Sequence, residues 1–502
     1  MIIDSEKCTG CAKCVQHCPT DAVKLVKKIS VINDEWCTSC NVCLRVCEDK
    51  AISATEIIPE GSIECDACPI LCWIQPGHVG ACHRYSNKEG QLLRTAPLLT
   101  YRDVRQIVGP EPKTNLHKPL VTGIGAGTTY PDCKPAPHIL QAKRRGIDVV
   151  TVVTEVPFSY SSILVKIDTD IPIGKEGERI FVGKQEVGML ETEQYGSKML
   201  HIGGVNRLTG KNGFKTASTI TDIANRKRVK LRIENGNRLA IQVGFPPVIN
   251  GKTATKMRVG CGSATMGLFA PLLKEVADEV IIIDSHITGQ MSRHVAGIYI
   301  GVKPTGIRLI FEESTPGRYF GDHGDGWGGT SITEPADVIR AIDMNTVCKG
   351  LTLLITETTG QNGAMFKVGT KGTLQKTALS KKAKDVLKTI ADSCESSRVS
   401  AIYTAGAGGS ARAGVTRHPI KLTKAVHAGK VQLTVGGAPG FVLPGGGITF
   451  MVDIERVKTG SFYWTPTPAT ICPLEYTMEL NDYEEMGGHL EAIKPIKKNS
   501  AN

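Results

Sequence analysis

The feature that most restricts the fold of this chain is a pair of cysteine runs near its N-terminus. The first run contains Cys8, Cys11, Cys14 and Cys18, and the second contains Cys37, Cys40, Cys43 and Cys47. Both runs have the spacing C-x2-C-x2-C-x3-C. Two such runs in tandem are hard to obtain by chance, so they indicate an internal duplication built around sulfur ligands.

This spacing is typical of bacterial ferredoxins with two [4Fe-4S] clusters, in which three cysteines of a run bind one cluster and the fourth binds the other. We therefore predict two ligand sets, Cys8, Cys11, Cys14 and Cys47 for one cluster, and Cys37, Cys40, Cys43 and Cys18 for the other. Zinc ribbons and a disulfide framework are the alternatives, and the spacing does not favour zinc. Residues 1–60 are predicted to form a ferredoxin-like domain through which electrons enter or leave.

A second cysteine group follows directly. Cys65, Cys68, Cys72 and Cys82 are separated by two, three and nine residues, with glycines shortly before the last cysteine. Four such thiolates can close a tetrahedral site for zinc or bind a further iron–sulfur cluster. A third cluster, structural zinc and buried thiols without a ligand all remain open. Residues 61–100 are predicted to form a small cysteine-rich, metal-binding module.

Composition limits the compartment and the partners. Twelve of the 17 cysteines lie in the first 82 residues, which indicates metal binding in a reducing cytoplasm. No run of 18 apolar residues occurs, so we expect no membrane span. The net charge is +11, and residues 1–60 contribute −2 with seven Lys/Arg against nine Asp/Glu, so residues 61–502 carry +13. Because the positive charge is dispersed, we do not expect the chain to bind nucleic acid. The positive charge could steer an acidic redox protein or an anionic substrate toward the body, or it could be ordinary solvated surface.

The remaining 400 residues predict a large body after a linker at 101–119, which mixes charges with prolines. We expect residues 120–502 to form a glycine-rich α/β body with an antiparallel β section, divided into 120–255 and 256–502. A helix is expected at 137–145, and alternating segments between 160 and 245 predict antiparallel strands with a hairpin at Asn235-Gly236. The fold class is thus multidomain, combining α+β and α/β parts.

One glycine loop of the body resembles a cofactor-binding turn. Its residues Gly260, Gly262, Ser263 and Thr265 precede a helical stretch, and Asp284 closes the next predicted strand. Glycines allow a phosphate to approach the backbone at a helix N-terminus, and an acid at the following strand end suits a ribose. Thr265 replaces the third glycine of the dinucleotide fingerprint. The loop therefore fits phosphate or flavin binding, or else a plain tight turn.

Other loops at predicted strand ends supply the catalytic candidates. A glycine-rich loop at 317–330 contains Asp322 and His323, and a loop after the strand beginning at Ala401 leads to Arg412, Arg417 and His418. Ligands of open α/β sheets collect at such ends. We predict that the two arginines bind a carboxylate and that the other three act as acids or hydrogen-bond donors. Each could instead be structural, and the loop at 317–330 could be a polar surface loop.

The two-cluster head, the second cysteine block and the glycine-rich body together resemble the 6-hydroxynicotinate reductase family. The resemblance implies ferredoxin-dependent reduction of 6-hydroxynicotinate to 6-oxo-1,4,5,6-tetrahydronicotinate, with iron–sulfur clusters and a flavin, FAD or FMN, that can be covalently bound. Ser263-Ala264-Thr265 is similar, in altered order, to a flavin attachment sequence, so Thr265 is a candidate attachment site. The expected partners are ferredoxin, a small anionic heterocycle and further copies of the chain. An electron-transfer subunit that docks another oxidoreductase, or a reductase of a different heterocycle or enone, are the alternatives.

Overall fold

The computed structural model describes residues 1–55, 57–65, 71–81, 85–95, 120–126, 135–136, 139–144, 146–194, 197–310, 324, 326–465 and 469–495. The predicted linker at 101–119, together with Cys68, Cys82, Asp322 and His323, lies outside these residues. None of the helices in the described part is long and apolar enough to cross a membrane.

The N-terminal head repeats one small unit twice. Its elements are β1 (Ile2–Ile3), α1 (Lys13–His17), β2 (Val23–Val26), β3 (Ile29–Ile32), α2 (Val42–Val46) and β4 (Ile52–Ser53). β1 pairs with β4, and β2 with β3, both antiparallel. Ala12 and Asn41 precede the two helices in the same left-handed conformation, with φ of 60° and 61°. The duplication in the sequence therefore extends to the backbone.

Two short hairpins follow the head. They are formed by β5 (Ile63–Glu64) with β6 (Trp73–Ile74) and by β7 (Tyr85–Lys88) with β8 (Gln91–Arg94). The buried Asn87 side chain joins them, because its amide donates to the carbonyls of Gly61 and Ile74 at 2.9 Å each. The hairpins lie against the head, where the Trp73 amide donates to the Thr38 carbonyl at 3.1 Å.

The first part of the body is dominated by strands. Its elements are β9 (Leu120–Ala126), β10 (Ile139–Arg144), β11 (Ile147–Phe158), β12 (Ser162–Asp168), β13 (Arg179–Val182), β14 (Gln185–Gln194), β15 (Ser197–Gly203), α3 (Val205–Leu208), α4 (Gly213–Ala224), β16 (Val229–Ile233), β17 (Arg238–Ile241), β18 (Val248–Ile249) and β19 (Lys252–Thr253). The antiparallel strands and the hairpin at Asn235-Gly236 are confirmed. The predicted helix at 137–145 is wrong, because its described residues 139–144 form β10, whose backbone pairs with β9 and β11. Such pairing outweighs local helix propensity.

The middle of the body, from about 259 to 395, is the α/β part. It contains α5 (Gly262–Lys274), β20 (Glu279–Ile283), β21 (Gly289–Gln290), α6 (Val295–Tyr299), β22 (Ile307–Leu309), β23 (Ile339–Ile342), β24 (Thr352–Glu357), β25 (Gly363–Val368), β26 (Leu374–Thr377) and α7 (Lys381–Asp392). The sheet order is β21-β20-β24-β25-β26, with β20 and β24 parallel. One face packs on α5 and α7, and the other on the β22–β23 hairpin. The sheet is therefore buried on both faces.

Strands in the last part of the chain pair with strands in the first part of the body. Its elements are β27 (Arg398–Ala407), α8 (Gly409–Ala413), α9 (Pro419–His427), β28 (Gln432–Val435), β29 (Ala438–Pro439), β30 (Phe441–Leu443), β31 (Ile448–Asp453), β32 (Tyr463–Thr465), β33 (Ala469–Glu479), α10 (Leu480–Glu485) and β34 (Ile493–Pro495). Short 3-10 turns occur at Trp327–Gly329, Pro335–Val338, Thr370–Gly372, Ile454–Arg456 and Leu490–Ala492. β27 pairs with β12, and β33 pairs with β11 from Val149 to Phe158.

These pairings create two large sheets. One has eleven described strands in the order β19-β18-β17-β16-β13-β14-β15-β12-β27-β31-β30, and the other has the order β29-β28-β33-β11-β9-β10-β34 with β32 beside β33. Ile163, Ile220 and Leu474 share one core between the two sheets and α4. The body thus differs from the predicted division at 255/256, because strands on both sides of that point complete the same sheets and the α/β part lies between them in sequence.

Candidate functional site

The first cluster pocket lies in the head. Cys8, Cys11, Cys14 and Cys47, the four cysteines predicted for one cluster, line one pocket together with Gly10 and Ser30. Gly10 has a φ of +70°, and a Cβ there would lie 2.3 Å from the Lys28 carbonyl oxygen, so this turn requires glycine. Cys11 is exposed, and the buried Ser30 hydroxyl lies 3.0 Å from the Cys14 sulfur.

The second pocket has the same plan with different walls. Cys18, Cys37, Cys40 and Cys43 line one pocket whose other walls include Val23, Ile32 and Val42. Burial raises the pKa of Cys40 to about 11 and that of Cys43 to about 12. In the first pocket, by contrast, hydrogen bonds from backbone amides lower the pKa of Cys8. A bound metal deprotonates such thiols, so the contrast describes the surroundings of the two sites rather than their capacity to bind.

Backbone amides point at the sulfur atoms in both pockets. The Ala22 amide donates to Cys18 Sγ at 3.2 Å, and the Ala51 amide donates to Cys47 Sγ at 3.3 Å. Each alanine lies four residues after its cysteine, as the duplication requires. Such N–H···S bonds stabilise the negative charge of an iron–sulfur cluster and tune its potential. The residues therefore fit two cubane clusters.

The second cysteine group adjoins the second pocket. Cys65 and Cys72 are buried at the ends of β5 and β6, and the Cys65 amide donates to the Cys72 carbonyl at 2.8 Å. Both pack in a small apolar cluster that also contacts Cys40 of the second pocket. Because Cys68 and Cys82 lie outside the described residues, the metal at this group stays a prediction. Two of its four candidate ligands nevertheless lie beside a predicted cluster ligand.

The head contacts the body next to the same pocket. His17, which precedes Cys18, is buried, and its Nε2 lies 2.7 Å from Gln185 Nε2 on β14. Its Nδ1 lies 2.8 Å from the Lys13 carbonyl oxygen, so Nδ1 donates and Nε2 accepts from Gln185. The imidazole also packs edge-on against Phe214 of α4, with ring centroids 6.1 Å apart. Burial lowers the pKa of His17, which keeps this contact neutral.

At the predicted cofactor loop, Asp284 and Gly262 make their contacts within the protein. The Asp284 carboxylate is fully buried and pairs with Arg258 Nη1, and it accepts from the Ile287 amide at 2.9 Å. Burial raises the pKa of Asp284, and the Arg258 charge opposes that rise. A Cβ on Gly262 would lie 2.3 Å from the Ile287 carbonyl oxygen, so this glycine allows helix-to-strand packing.

The remaining loop residues agree with that picture. Ser263 Oγ lies 2.9 Å from His294 Nε2, and a Cβ on Gly260 would lie 3.1 Å from the Ala264 Cβ. Thr265 is fully buried inside the α/β part, and its hydroxyl has no hydrogen-bond partner among the described residues. A side chain in that position is not accessible to an isoalloxazine ring. These residues do not fit a flavin site.

The predicted catalytic residues are dispersed. Arg417 and His418 are exposed at the start of α9, where Arg417 Nη2 forms an ion pair with Glu491 at 2.6 Å. Arg412 of α8 lies elsewhere, half-buried after the glycine loop that follows β27. Its Nε donates to the Gly408 carbonyl at 3.3 Å and its Nη1 to the Thr423 hydroxyl. Nη2 makes no hydrogen bond to a described residue. Arg412 differs from Arg417 in that its guanidinium forms no ion pair with a described carboxylate.

Two residues missed by the sequence analysis lie near Arg412. Tyr476 of β33 is fully buried, and Tyr160 closes the turn after β11 with its hydroxyl bonded to the Gly406 carbonyl. Burial raises the pKa of both phenols, and the Arg412 charge lowers it. A signal was available in the sequence, because the β33 segment, ATICPLEYTME, reads as a buried strand and yet contains Thr470, Glu475, Tyr476 and Thr477.

The chain is similar to known proteins both in its head and over its whole length. The 4Fe-4S dicluster domain family matches residues 1–48, which include both pockets. A 6-hydroxynicotinate reductase of Eubacterium barkeri is 46% identical over 498 residues, covering 99% of each chain. The chain belongs to the 6-hydroxynicotinate reductase family. It is an iron–sulfur oxidoreductase of that family, and no solved structure matches it.

Proposed function

We propose that this chain reduces 6-hydroxynicotinate to 6-oxo-1,4,5,6-tetrahydronicotinate with electrons from a ferredoxin. The observation that carries the proposal is 46% identity over 99% of the chain to a named 6-hydroxynicotinate reductase. The reaction adds two electrons and two protons to the ring and removes one C=C double bond. Reduction of the ring costs aromatic stabilisation, and electrons from low-potential clusters can offset that cost.

The head is the electron inlet in this proposal. Cys8, Cys11, Cys14 and Cys47 hold one [4Fe-4S] cluster, and Cys18, Cys37, Cys40 and Cys43 hold the other. The second pocket continues toward Cys65 and Cys72, which pack against Cys40, and toward the body through His17. These contacts support a path that leads from the clusters inward. When bound, the clusters supply single electrons, and the chain's own residues position the substrate.

An acidic ferredoxin is the proposed donor, and a basic groove supports that choice. The groove, of about 460 Å³, is lined by residues that include Phe181, Arg228, Lys230, Arg232 and Arg238. The Arg232 guanidinium lies 4.4 Å from the Phe181 ring centroid. The groove reaches Gly183, two residues from the Gln185 that contacts His17. A protein of opposite charge seated there would lie beside the head.

The donor surface can be tested by charge reversal. Arg228→Glu combined with Arg238→Glu should slow reduction by ferredoxin about tenfold or more at low salt, and leave reduction by dithionite unchanged. Lys382→Glu, at an exposed position of the α/β part, serves as the control. If ferredoxin reduces the double variant as fast as the wild type, ferredoxin docks on a different surface.

The catalytic proposal can be tested on the anaerobic holoprotein. Dithionite-reduced protein, freed of excess reductant, is mixed with 6-hydroxynicotinate while cluster absorbance and product are followed. Reoxidation with formation of the tetrahydro product is expected, and nicotinate, which lacks the ring oxygen, is the control substrate. Clusters that stay reduced would refute the proposal and favour an electron-transfer subunit, whereas reoxidation by another heterocycle alone would change the substrate. Iron analysis should give about eight atoms per chain, or about twelve with a third cubane cluster.

The predicted flavin is tested separately. An absorption spectrum of the supernatant and pellet after acid precipitation detects free and covalently bound flavin respectively. Since the Gly260–Thr265 loop does not fit a flavin, we expect Thr265→Val to leave the flavin content unchanged. Loss of pellet colour in that variant would restore Thr265 as the attachment site.

A further inference from the structure

Two helices of the α/β part share one hydrophobic outer surface. α5 and α6 are joined at both ends, because Ser263 Oγ lies 2.9 Å from His294 Nε2 and Lys274 Nζ donates to the Ile300 carbonyl. The two helices therefore present a continuous surface to solvent. Apart from Lys274 at the end of α5, their exposed large side chains are all hydrophobic, namely Leu268, Leu272, Val295, Ile298 and Tyr299. Together these five residues form the apolar face.

The neighbouring helix α7 has a charged outer surface instead. α5 and α7 pack on the same side of the α/β sheet and share one core with it. The exposed residues of α7 are Lys381, Lys382, Lys384, Asp385, Lys388, Thr389 and Asp392. Position in the fold therefore does not explain the apolar face. Single exposed hydrophobic residues are common on proteins, whereas a contiguous patch of them marks an interaction surface.

Contacts beneath α6 fix the direction of its side chains. A Cβ on Gly297 would lie 1.9 Å from the Met291 carbonyl oxygen, so the side of α6 that carries Gly297 lies against this backbone. The Ile298 amide donates to the His294 carbonyl at 3.0 Å, and the Val302 amide donates to the Gly297 carbonyl at 2.9 Å. A rotation of α6 that buried its hydrophobic residues would break these contacts.

The apolar face is large enough for a protein interface. Leu268 is 63% exposed, Val295 is 78% exposed and Tyr299 is 90% exposed. With such exposed fractions, the five side chains leave roughly 500 Å² of hydrophobic surface in water. The largest such patch on a monomer is about 300–600 Å², and each partner of a stable complex contributes about 800 Å². The apolar face thus supplies most of the area that a stable dimer needs.

We propose that the apolar face is the surface through which two copies of this chain associate about a two-fold axis. A two-fold axis brings the same surface of both copies together, so that surface must be complementary to itself. A hydrophobic surface meets this condition. Exposed charges of both signs, on Lys274, Glu275 and Arg293, flank the two helices in sequence and suit the polar rim of such an interface. An acidic ferredoxin fits the apolar face poorly, because the face itself carries no positive charge.

The test measures the molar mass of the cluster-loaded chain by anaerobic sedimentation. The wild type should sediment as two copies, or as an even number of copies. Ile298→Arg and Leu268→Arg each place a charge in the contact, so each should halve the mass and raise the dissociation constant about 100-fold or more. Ile420→Arg is the matched control, because Ile420 is 69% exposed on α9 beside the exposed Lys421 and Lys424. It should leave the mass unchanged.

Two outcomes would refute the inference. One is a wild-type chain that stays monomeric at its highest soluble concentration. If such a monomer also sediments with phosphatidylcholine vesicles, the apolar face binds a lipid surface instead. The other is a wild-type mass for Ile298→Arg and Leu268→Arg, because the copies would then meet elsewhere. Retained cluster absorbance shows that a variant is folded, and if one variant loses its clusters, the mass of the other decides.

Discussion

The two glycine loops at 260–267 and 406–412 look alike in sequence and differ in what their side chains do. Near the first loop, the buried Arg258 forms ion pairs with both Asp170 and Asp284. Near the second, Arg412 keeps an unbonded Nη2 and Tyr476 an unbonded hydroxyl among the described residues. Glycine spacing alone cannot separate a loop that packs from a loop that binds. The difference lies in whether the arginine beside the loop is already paired with carboxylates.

The largest effect is expected from breaking the buried pair of Arg258 and Asp284. Arg258→Ala leaves the Asp284 carboxylate buried without its cation, so the free energy of unfolding should fall by about 3–5 kcal/mol. Chemical denaturation of the cluster-loaded protein measures the change. Arg417→Ala is the matched control, because its pair with Glu491 is more than half exposed and should contribute about 1 kcal/mol or less. Similar losses in both variants would mean that the buried pair is not the structural element we describe.

A buried carboxylate on β33 sharpens the comparison, because it lacks a cation partner among the described residues. Glu475 accepts only from neutral donors, the Thr434 hydroxyl and the Gly437 amide, and burial raises its pKa from 4.5 to about 7. The folded protein then binds more protons than the unfolded chain between these values. The raised pKa of Glu475 therefore contributes about 3 kcal/mol to the free energy of unfolding. This contribution is complete below about pH 4.5 and is lost as the pH rises through about 7.

Glu475→Gln tests this linkage. The variant keeps an acceptor for the Gly437 amide and cannot ionise, so its unfolding midpoint should depend less on pH between 4.5 and 7 than that of the wild type. Asp284→Asn, in the buried pair with Arg258, is the comparison at the other loop. If the wild type and Glu475→Gln show parallel pH profiles, Glu475 has an ordinary pKa and the two regions are more alike than we infer.

The glycines themselves provide an intermediate test. A Cβ on Gly262 would lie 2.3 Å and 2.6 Å from the carbonyl oxygens of Ile287 and Ile282, whereas a Cβ on Gly408 would meet nothing within 4 Å. Gly262→Ala should therefore lower the free energy of unfolding by about 1–3 kcal/mol, and Gly408→Ala should change it by about 0.5 kcal/mol or less. Thermal unfolding checks both. A tolerated alanine at 262 would show that its packing is looser than described and would reopen the loop to a ligand.

These regions also show what a sequence can reveal. The head was predictable because the eight cysteines of two local runs decide which sulfur atoms meet, and Arg412 could be chosen because it follows a strand and a glycine loop. The buried hydroxyls of Tyr476 and Thr154, which have no partner in the described part, could not be predicted, because their surroundings result from the pairing of β11 with β33, more than 300 residues apart. The segment at 137–145 was misread as a helix for a related reason, since its strand neighbours are supplied by the rest of the sheet.

The smallest effect is expected at Ser263, where the cofactor prediction can be tested most directly. His294 Nδ1 accepts from the Ala296 amide at 3.1 Å, so Nε2 of the neutral imidazole carries the proton and donates to Ser263 Oγ at 2.9 Å. Burial lowers the pKa of His294, which favours this neutral form. The histidine therefore does not activate the serine as a base, and the hydroxyl is a local structural contact. Ser263→Ala should change the free energy of unfolding by about 1 kcal/mol or less and leave turnover and flavin content unchanged. A loss of turnover at unchanged stability would instead mean that the Gly260–Thr265 loop binds a ligand, and the contrast between the two loops would fail.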